Sequence, residues 1–195
     1  MVNTEILKCS DFLSGFIKIH KTHLSTGKTS LLVDKKNLIL KGGPKIIAQA
    51  LAGISNSNIW GMYIGYNNNP EFNINEDAPS IDVDYTNKFS DYISTNDFGY
   101  LREQLTFTPS FLSSPGYDNN TVLFSTMITS ASSAGGADFS ENSQIYEVAL
   151  ISAQEPLDSA KDTVFSRTNF NPVKYDSNYN FTITWGVRIL IPTTT

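Results

Sequence analysis

The stretch Phe181-Thr-Ile-Thr-Trp-Gly-Val-Arg-Ile189 decides the fold class of this chain. Its large apolar residues occupy every second position, and the positions between them hold threonine, glycine or arginine. Successive side chains of a β-strand point to opposite faces of the sheet, so a period of two over this length indicates one buried face. The stretch therefore predicts a long strand that carries part of the core on one side.

Further strands are predicted on both sides of this stretch along the chain. Apolar and alternating segments separated by turn-rich sequence predict strands near 59–66, 100–108, 121–129 and 144–152. Residues 15–34 predict a β-hairpin, in which Gly27 supplies a positive φ at the turn. The predicted core is formed by the apolar faces of these strands: Phe181, Ile183, Trp185, Val122, Phe124, Val148 and Leu150.

One short helix is predicted over residues 44–52. Its apolar residues recur at helical spacing, a proline lies in its first turn and Gly53 follows its end. Many strands with little helix favour a mainly β chain, an antiparallel β-sandwich with an N-terminal hairpin and one short α-helix. We expect residues 1–40 to form an N-terminal arm and hairpin, and residues 41–195 to form the sandwich domain with a long polar excursion over 71–99.

The composition argues against nucleic acid and membrane as direct partners. The chain has 195 residues with a net charge of −5, and only three arginines occur in it, so no basic stripe is available for a phosphate backbone. No segment approaches the roughly 20 apolar residues of a membrane span. Cys9 is the only cysteine, which excludes an internal disulfide and a thiolate metal cluster.

No catalytic, cofactor or metal site is predicted. Gly27-Lys28-Thr29 lacks the earlier glycine of a phosphate-binding loop, because Thr22 stands at that position. His20 and His23 point to opposite faces of a predicted strand, which argues against a shared metal ion. Acidic residues between 76 and 84 lack the order of a calcium loop and are interpreted as a solvated loop.

Glu147 is the most informative carboxylate, because it lies in the middle of an apolar strand. A carboxylate on a buried face needs a partner, and Arg102 or Arg167 can provide a bidentate one. The alternative is a general acid or base with a raised pKa, as found at active sites. The absence of a nucleophile or histidine nearby in sequence favours the structural ion pair.

Several short segments follow one another in an order that is typical of one family. They are Lys36-Asn-Leu-Ile-Leu40 with Gly43 and the predicted helix, Ile64-Gly65, Leu101-Arg-Glu103 with Thr108-Pro-Ser110, Ile145-Tyr-Glu147, Val164-Phe-Ser-Arg167 with Phe170 and Pro172, and Ile183-Thr-Trp185. In this order they resemble tailed-bacteriophage virion structural proteins of the tail, baseplate and tail-fibre kind. The resemblance covers most of residues 15–190.

The resemblance implies a virion component that is made in the bacterial host cytoplasm, is not an enzyme and has no cofactor. Its expected partners are other virion proteins and copies of itself, arranged as a homo-oligomer in the tail, neck or baseplate. The alternatives are a host-surface receptor or glycan-binding module and a capsid decoration protein. Strand edges and recurring aromatic residues mark the expected interface, which includes Ile17, Ile19, Phe72, Tyr85, Phe89 and Tyr92.

Overall fold

The computed structural model of the chain describes residues 13–39, 42–54, 58–69, 98–111, 120–128, 134–136, 139–141, 143–152 and 163–189. The predicted fold class is confirmed, since these residues form two antiparallel sheets and one helix. The elements are β1 (Leu13–His23), β2 (Thr29–Lys36), β3 (Leu38–Ile39), α1 (Gly42–Leu51), β4 (Ile59–Asn67), β5 (Phe98–Gln104), β6 (Phe107–Phe111), β7 (Thr121–Ile128), β8 (Ala134–Gly136), β9 (Gln144–Ser152), β10 (Thr163–Lys174) and β11 (Tyr179–Ile189).

The two sheets pack face to face as a sandwich. The first sheet has five strands in the order β2-β1-β11-β7-β6, and the second has six in the order β3-β10-β9-β4-β5-β8. One continuous apolar cluster combines inward-facing side chains of both sheets, among them Trp185 of the first and Met62 of the second. Burial of alternate residues from two facing sheets is the arrangement that stabilises a sandwich core.

The strand β11 lies in the middle of the first sheet, where its predicted apolar face enters the core. Trp185 is opposite Ile17 on one side and opposite Phe124 on the other. Phe181, Ile183 and Trp185 are fully buried, as are Val148 and Leu150 of β9. Phe124, also predicted in the core, is half-buried and packs against the core cluster. Val122 is half-buried, and both residues line an open groove at one end of the sandwich.

The N-terminal hairpin is part of the sandwich rather than a separate arm, so the expected division near residue 40 does not describe it. β1 pairs with β11 along its whole length, and Ile17 and Ile19 are buried in the core. The prediction that Ile17 and Ile19 contact another chain is therefore wrong, because the apolar face of β1 is covered by the second sheet. The exposed edge of the hairpin is β2, after a turn in which Gly27 has a φ of 67°.

The predicted excursion over 71–99 falls mostly outside the described residues. The interface residues predicted in this excursion all lie outside the described residues: Phe72, Tyr85, Phe89 and Tyr92. The described part of the chain resumes with β5 at Phe98. Four strands were not predicted as such, namely the two-residue β3, β6, β8 and the long β10.

The helix α1 covers one end of the sandwich, and Gly53 caps its C-terminal end. Ile46 of α1 is buried in the core cluster. Gly53 has a φ of 68°, its N–H donates to the carbonyl of Ala50, and the N–H of Ile54 donates to the carbonyl of Gln49. These bonds form a Schellman motif, which requires a left-handed residue after the helix.

Replacing Gly53 with alanine is therefore expected to destabilise the chain by about 1 kcal/mol, because a side chain disfavours this backbone conformation. Gly53→Asn is the control, since asparagine tolerates the left-handed region and should lose less. Urea unfolding followed by circular dichroism measures both free energies. Equal midpoints for the wild type and Gly53→Ala would show that the cap contributes nothing.

Candidate functional site

The structure brings Glu147 and Arg167 together as a buried ion pair between Arg167 Nε and Glu147 Oε1. Glu147 is 2% exposed and Arg167 is 4% exposed. On β9, Glu147 alternates with Val148, so its side chain lies on the face of the second sheet that is turned away from the core. The ion pair therefore stabilises the outer face of that sheet. Neither of its residues lines either of the two cavities described below.

Arg102, the other predicted partner of Glu147, stacks instead on an aromatic ring. Its guanidinium carbon lies 4.0 Å from the centroid of the Trp60 ring, which is a cation–π contact. Trp60 packs against a second apolar cluster on this outer face, formed with Tyr63 and Ala149 among others. Arg102 and Arg167 thus stabilise the same sheet face through different partners.

An apolar groove opens at the end of the sandwich where β11 ends. It has a volume of about 520 Å³. The described residues that line this apolar groove are Ile46, Ile47, Ala50, Asn58, Ile59, Pro109, Val122, Phe124, Phe165, Val187 and Ile189. Not one of these lining residues carries a charge, so the apolar groove favours an apolar occupant.

Exposed apolar side chains surround the apolar groove. Phe111 on β6 is opposite Val122, which lines the groove, so both side chains lie on the same face of the sheet. Phe111 is 67% exposed. Ile189, which lines the groove, is also exposed, and so are Leu51 at the end of α1 and Ile54 just after it. Clustered large apolar side chains at a surface mark a protein–protein contact more often than scattered ones do.

The strand β6 is an uncharged edge of the first sheet. Its sequence, Phe107-Thr-Pro-Ser-Phe111, is exposed at every position. The opposite edge, β2, ends in Asp34, Lys35 and Lys36, and charged side chains protect an edge from pairing with another chain. On β6 only Pro109 gives such protection, so β6 is the less protected edge.

A polar cleft of about 660 Å³ lies at the other end of β11. The described residues that line it are Lys21, Leu32, Glu141, Pro172, Val173, Lys174, Tyr175, Asp176, Asn178 and Phe181. Below the cleft, aromatic rings pack in a chain, with ring centroids 4.5 Å apart between Phe139 and Tyr175 and 5.4 Å apart between Tyr175 and Phe181. The polar cleft therefore has a rigid aromatic base and a charged rim.

Hydrogen bonds and charges hold the acidic side of the polar cleft in place. Asp176 Oδ1 accepts hydrogen bonds from the backbone N–H and the side-chain Nδ2 of Asn178, each at 2.9 Å. The backbone hydrogen bond from Asn178 is the main reason that the pKa of Asp176 is lowered. Burial raises the pKa of Tyr175, and the charges of Glu141 and Asp176 raise it further, so this phenol stays protonated as a donor.

His23, one of the two histidines considered as metal ligands, contacts a serine and a tyrosine. His23 Nδ1 accepts a hydrogen bond from the backbone N–H of Ser25 at 3.2 Å, and the His23 ring meets the edge of Tyr179. Among the described residues, no group of three or more histidine, cysteine, aspartate or glutamate side chains is placed to hold a metal ion. In that same part of the chain, no helix is long and apolar enough to cross a membrane.

Sequence reasoning identified the ion pair but neither cavity. Both cavities draw their walls from strands far apart in the chain, and only the register of the sheets places these strands together. The available signal was Pro109, because a proline cannot donate to the ladder and within sheets occurs at edge strands, strand starts or bulges.

Comparison with known proteins gives no relative: no protein-family model, no curated protein and no solved structure matches the chain.

Proposed function

We propose that this chain is a non-enzymatic structural component of a bacteriophage virion, in its tail, neck or baseplate, and that it acts through protein–protein contacts. The virion assignment is supported by the order of short segments that resembles tailed-phage structural proteins. The mode of action is supported by one observation above all, the uncharged apolar groove beside the uncharged edge strand β6. An exposed apolar patch of this kind becomes the buried central part of an interface when a partner protein covers it.

The occupant that fits the apolar groove best is a second copy of this chain. Each copy carries a net charge of −5, so a contact between two copies is favoured where it adds no like charges at short range. The groove lining and β6 meet that condition, whereas the β2 edge, with Asp34, Lys35 and Lys36, does not. A strongly charged partner would find no complementary charge here.

The geometry also permits a symmetric contact. In a two-fold dimer the same patch occurs on both copies, so a projecting group and its receptor must lie side by side. Phe111 projects beside the apolar groove, and Val122 directly opposite it lines the groove wall. We propose that a two-fold axis beside β6 relates the copies, so that the Phe111 ring of each enters the apolar groove of the other.

Phe111→Asp is expected to convert the dimer into a monomer, because it places a desolvated carboxylate in an apolar contact. Phe107→Asp is the matched control on the same strand. Phe107 is 49% exposed and lies opposite Ser125, on the other face of the sheet. Sedimentation velocity over a range of concentrations measures the state of each variant.

The proposed contact is supported if the wild type and Phe107→Asp sediment as dimers while Phe111→Asp sediments as a folded monomer. A wild type that stays monomeric at high concentration would show that another protein, not a second copy, occupies the apolar groove. Equal dissociation of both variants would assign the contact to β6 pairing alone.

The virion location is tested independently of the dimer. An antibody against the purified chain should label intact phage particles from the bacterium that carries the gene. Immunogold electron microscopy would then place the chain on the tail, neck, baseplate or capsid. Particles that remain unlabelled, with the chain found only in the cell fraction, would contradict a structural role in the virion.

A further inference from the structure

The geometry points to a saccharide-binding site in the polar cleft, with a short uncharged oligosaccharide as its ligand. The polar cleft and the apolar groove lie at opposite ends of β11, since Phe181 lines the first and Val187 lines the second. Six residues of extended strand separate these two positions by about 20 Å. The saccharide site is therefore separate from the surface proposed for dimer contact.

The size and the rigidity of the polar cleft suit a small ligand. Its volume of about 660 Å³ lies within the range of roughly 300–1,000 Å³ that small-molecule sites occupy. The wall is fixed by packing, because Tyr175 is 4% exposed and its ring lies against both Phe139 and Phe181. Because Tyr175 and Phe181 are already ordered, a ligand binds without the entropy cost of fixing these two side chains.

The polar groups of the cleft select an uncharged, hydroxyl-rich ligand. Lys21 and Lys174 can donate hydrogen bonds to a ligand, the carboxylates of Glu141 and Asp176 can accept them, and the four charges sum to zero. The two carboxylates would repel a polyanion, and the two ammonium groups would repel a polycation. A sugar hydroxyl both donates and accepts, so one ring can bind lysine and carboxylate groups together.

Substitutions at Tyr175 and Lys174 can test ligand binding without affecting folding. Tyr175→Phe keeps the buried ring and removes only the hydroxyl, and Lys174 is exposed, so neither change should disturb the core. Lys28→Ala is the control, because Lys28 is an exposed lysine of the hairpin turn that does not line the polar cleft. Thermal unfolding confirms that all three variants are folded.

The experiment applies the purified full chain to an array of neutral hexose and N-acetylhexosamine trisaccharides, with sulfated and sialylated versions printed beside them. Calorimetry then measures the affinity for the strongest neutral trisaccharide. We expect Tyr175→Phe and Lys174→Ala each to weaken binding by about tenfold, which is the loss of one good hydrogen bond, and Lys28→Ala to leave it unchanged.

Three results would overturn the saccharide site. They are no binding to any neutral trisaccharide, equal affinity of Tyr175→Phe and the wild type, and stronger binding to the sulfated versions. Phe111→Asp should bind the trisaccharide as well as the wild type does, because it lies at the other end of the sandwich. The saccharide site and the dimer contact can therefore fail separately.

Discussion

Trp185→Ala is expected to destabilise the chain by about 3–5 kcal/mol, because it removes the largest fully buried side chain of the core. Trp185 lies in the middle of the first sheet, opposite Ile17 and Phe124, so neither neighbouring strand can move in to fill the space without breaking its register. A loss of this size is a large part of the usual free energy of unfolding of a single domain. Urea unfolding followed by tryptophan-independent circular dichroism measures it.

Trp185→Phe is the matched control, since it keeps an aromatic ring at the same position. The indole Nε1 of Trp185 is buried and has no hydrogen-bond partner among the described residues. Phenylalanine removes that unsatisfied donor, which offsets part of the cost of the smaller ring. We expect a loss of no more than about 2 kcal/mol. If Trp185→Ala and Trp185→Phe cost the same, the N–H has a partner and cavity formation is not the main effect.

The strands that sequence reasoning predicted are those in which apolar residues keep a strict period of two. β11 keeps that period, and its inward residues Phe181, Ile183, Trp185 and Val187 reach the core. β10 was missed because the register of its pairing with β9 shifts twice, between Val164 and Ser166 and between Asn169 and Val173. Each irregularity moves the following side chains to the other face, so the sequence loses its alternation although the strand continues.

The assignment of Ile17 and Ile19 to an interface failed for a related reason. Alternation shows that β1 has one apolar face, but it does not show what covers that face. The hairpin precedes the other strands in sequence, which suggested an arm, whereas β1 pairs with β11 from the opposite end of the chain. Pairing between strands about 170 positions apart in sequence depends on the whole fold and leaves no local signal.

Glu147 was predictable because burial of a carboxylate imposes a requirement that is visible in the sequence. A charged residue within the apolar strand β9 needs a nearby cation, and three arginines in the chain leave few choices. The sequence could not choose between Arg102 and Arg167. The register decides, because β10 places Arg167 opposite Ala149, the outer-face neighbour of Glu147, on the strand next to β9.

Removing one partner of this pair is expected to cost about 3–5 kcal/mol, because the remaining buried charge loses the opposite charge beside it. Glu147→Gln keeps the shape and removes the carboxylate from Arg167, and Arg167→Met removes the guanidinium from Glu147. The contrasting pair is Lys18–Asp34, whose Nζ and Oδ2 atoms are 3.4 Å apart and whose side chains are 38% and 51% exposed. Asp34→Asn should cost less than about 1 kcal/mol, since water screens that pair.

The double variant Glu147→Leu/Arg167→Met distinguishes two quantities. One is the free energy lost when a single partner is removed, and the other is the net contribution of the ion pair to stability. Two apolar side chains leave no charge to solvate and can extend the outer cluster that contains Tyr63, Ala149 and Ile151. We therefore expect the double variant to recover most of the stability lost by either single variant, with a free energy of unfolding close to or above that of the wild type. Urea unfolding of the wild type, Glu147→Leu, Arg167→Met and the double variant, which together form one double-mutant cycle, gives the coupling. The double variant could instead lose as much free energy of unfolding as the two single variants lose together. Glu147 and Arg167 would then act independently, and each would stabilise the outer face through contacts with further residues.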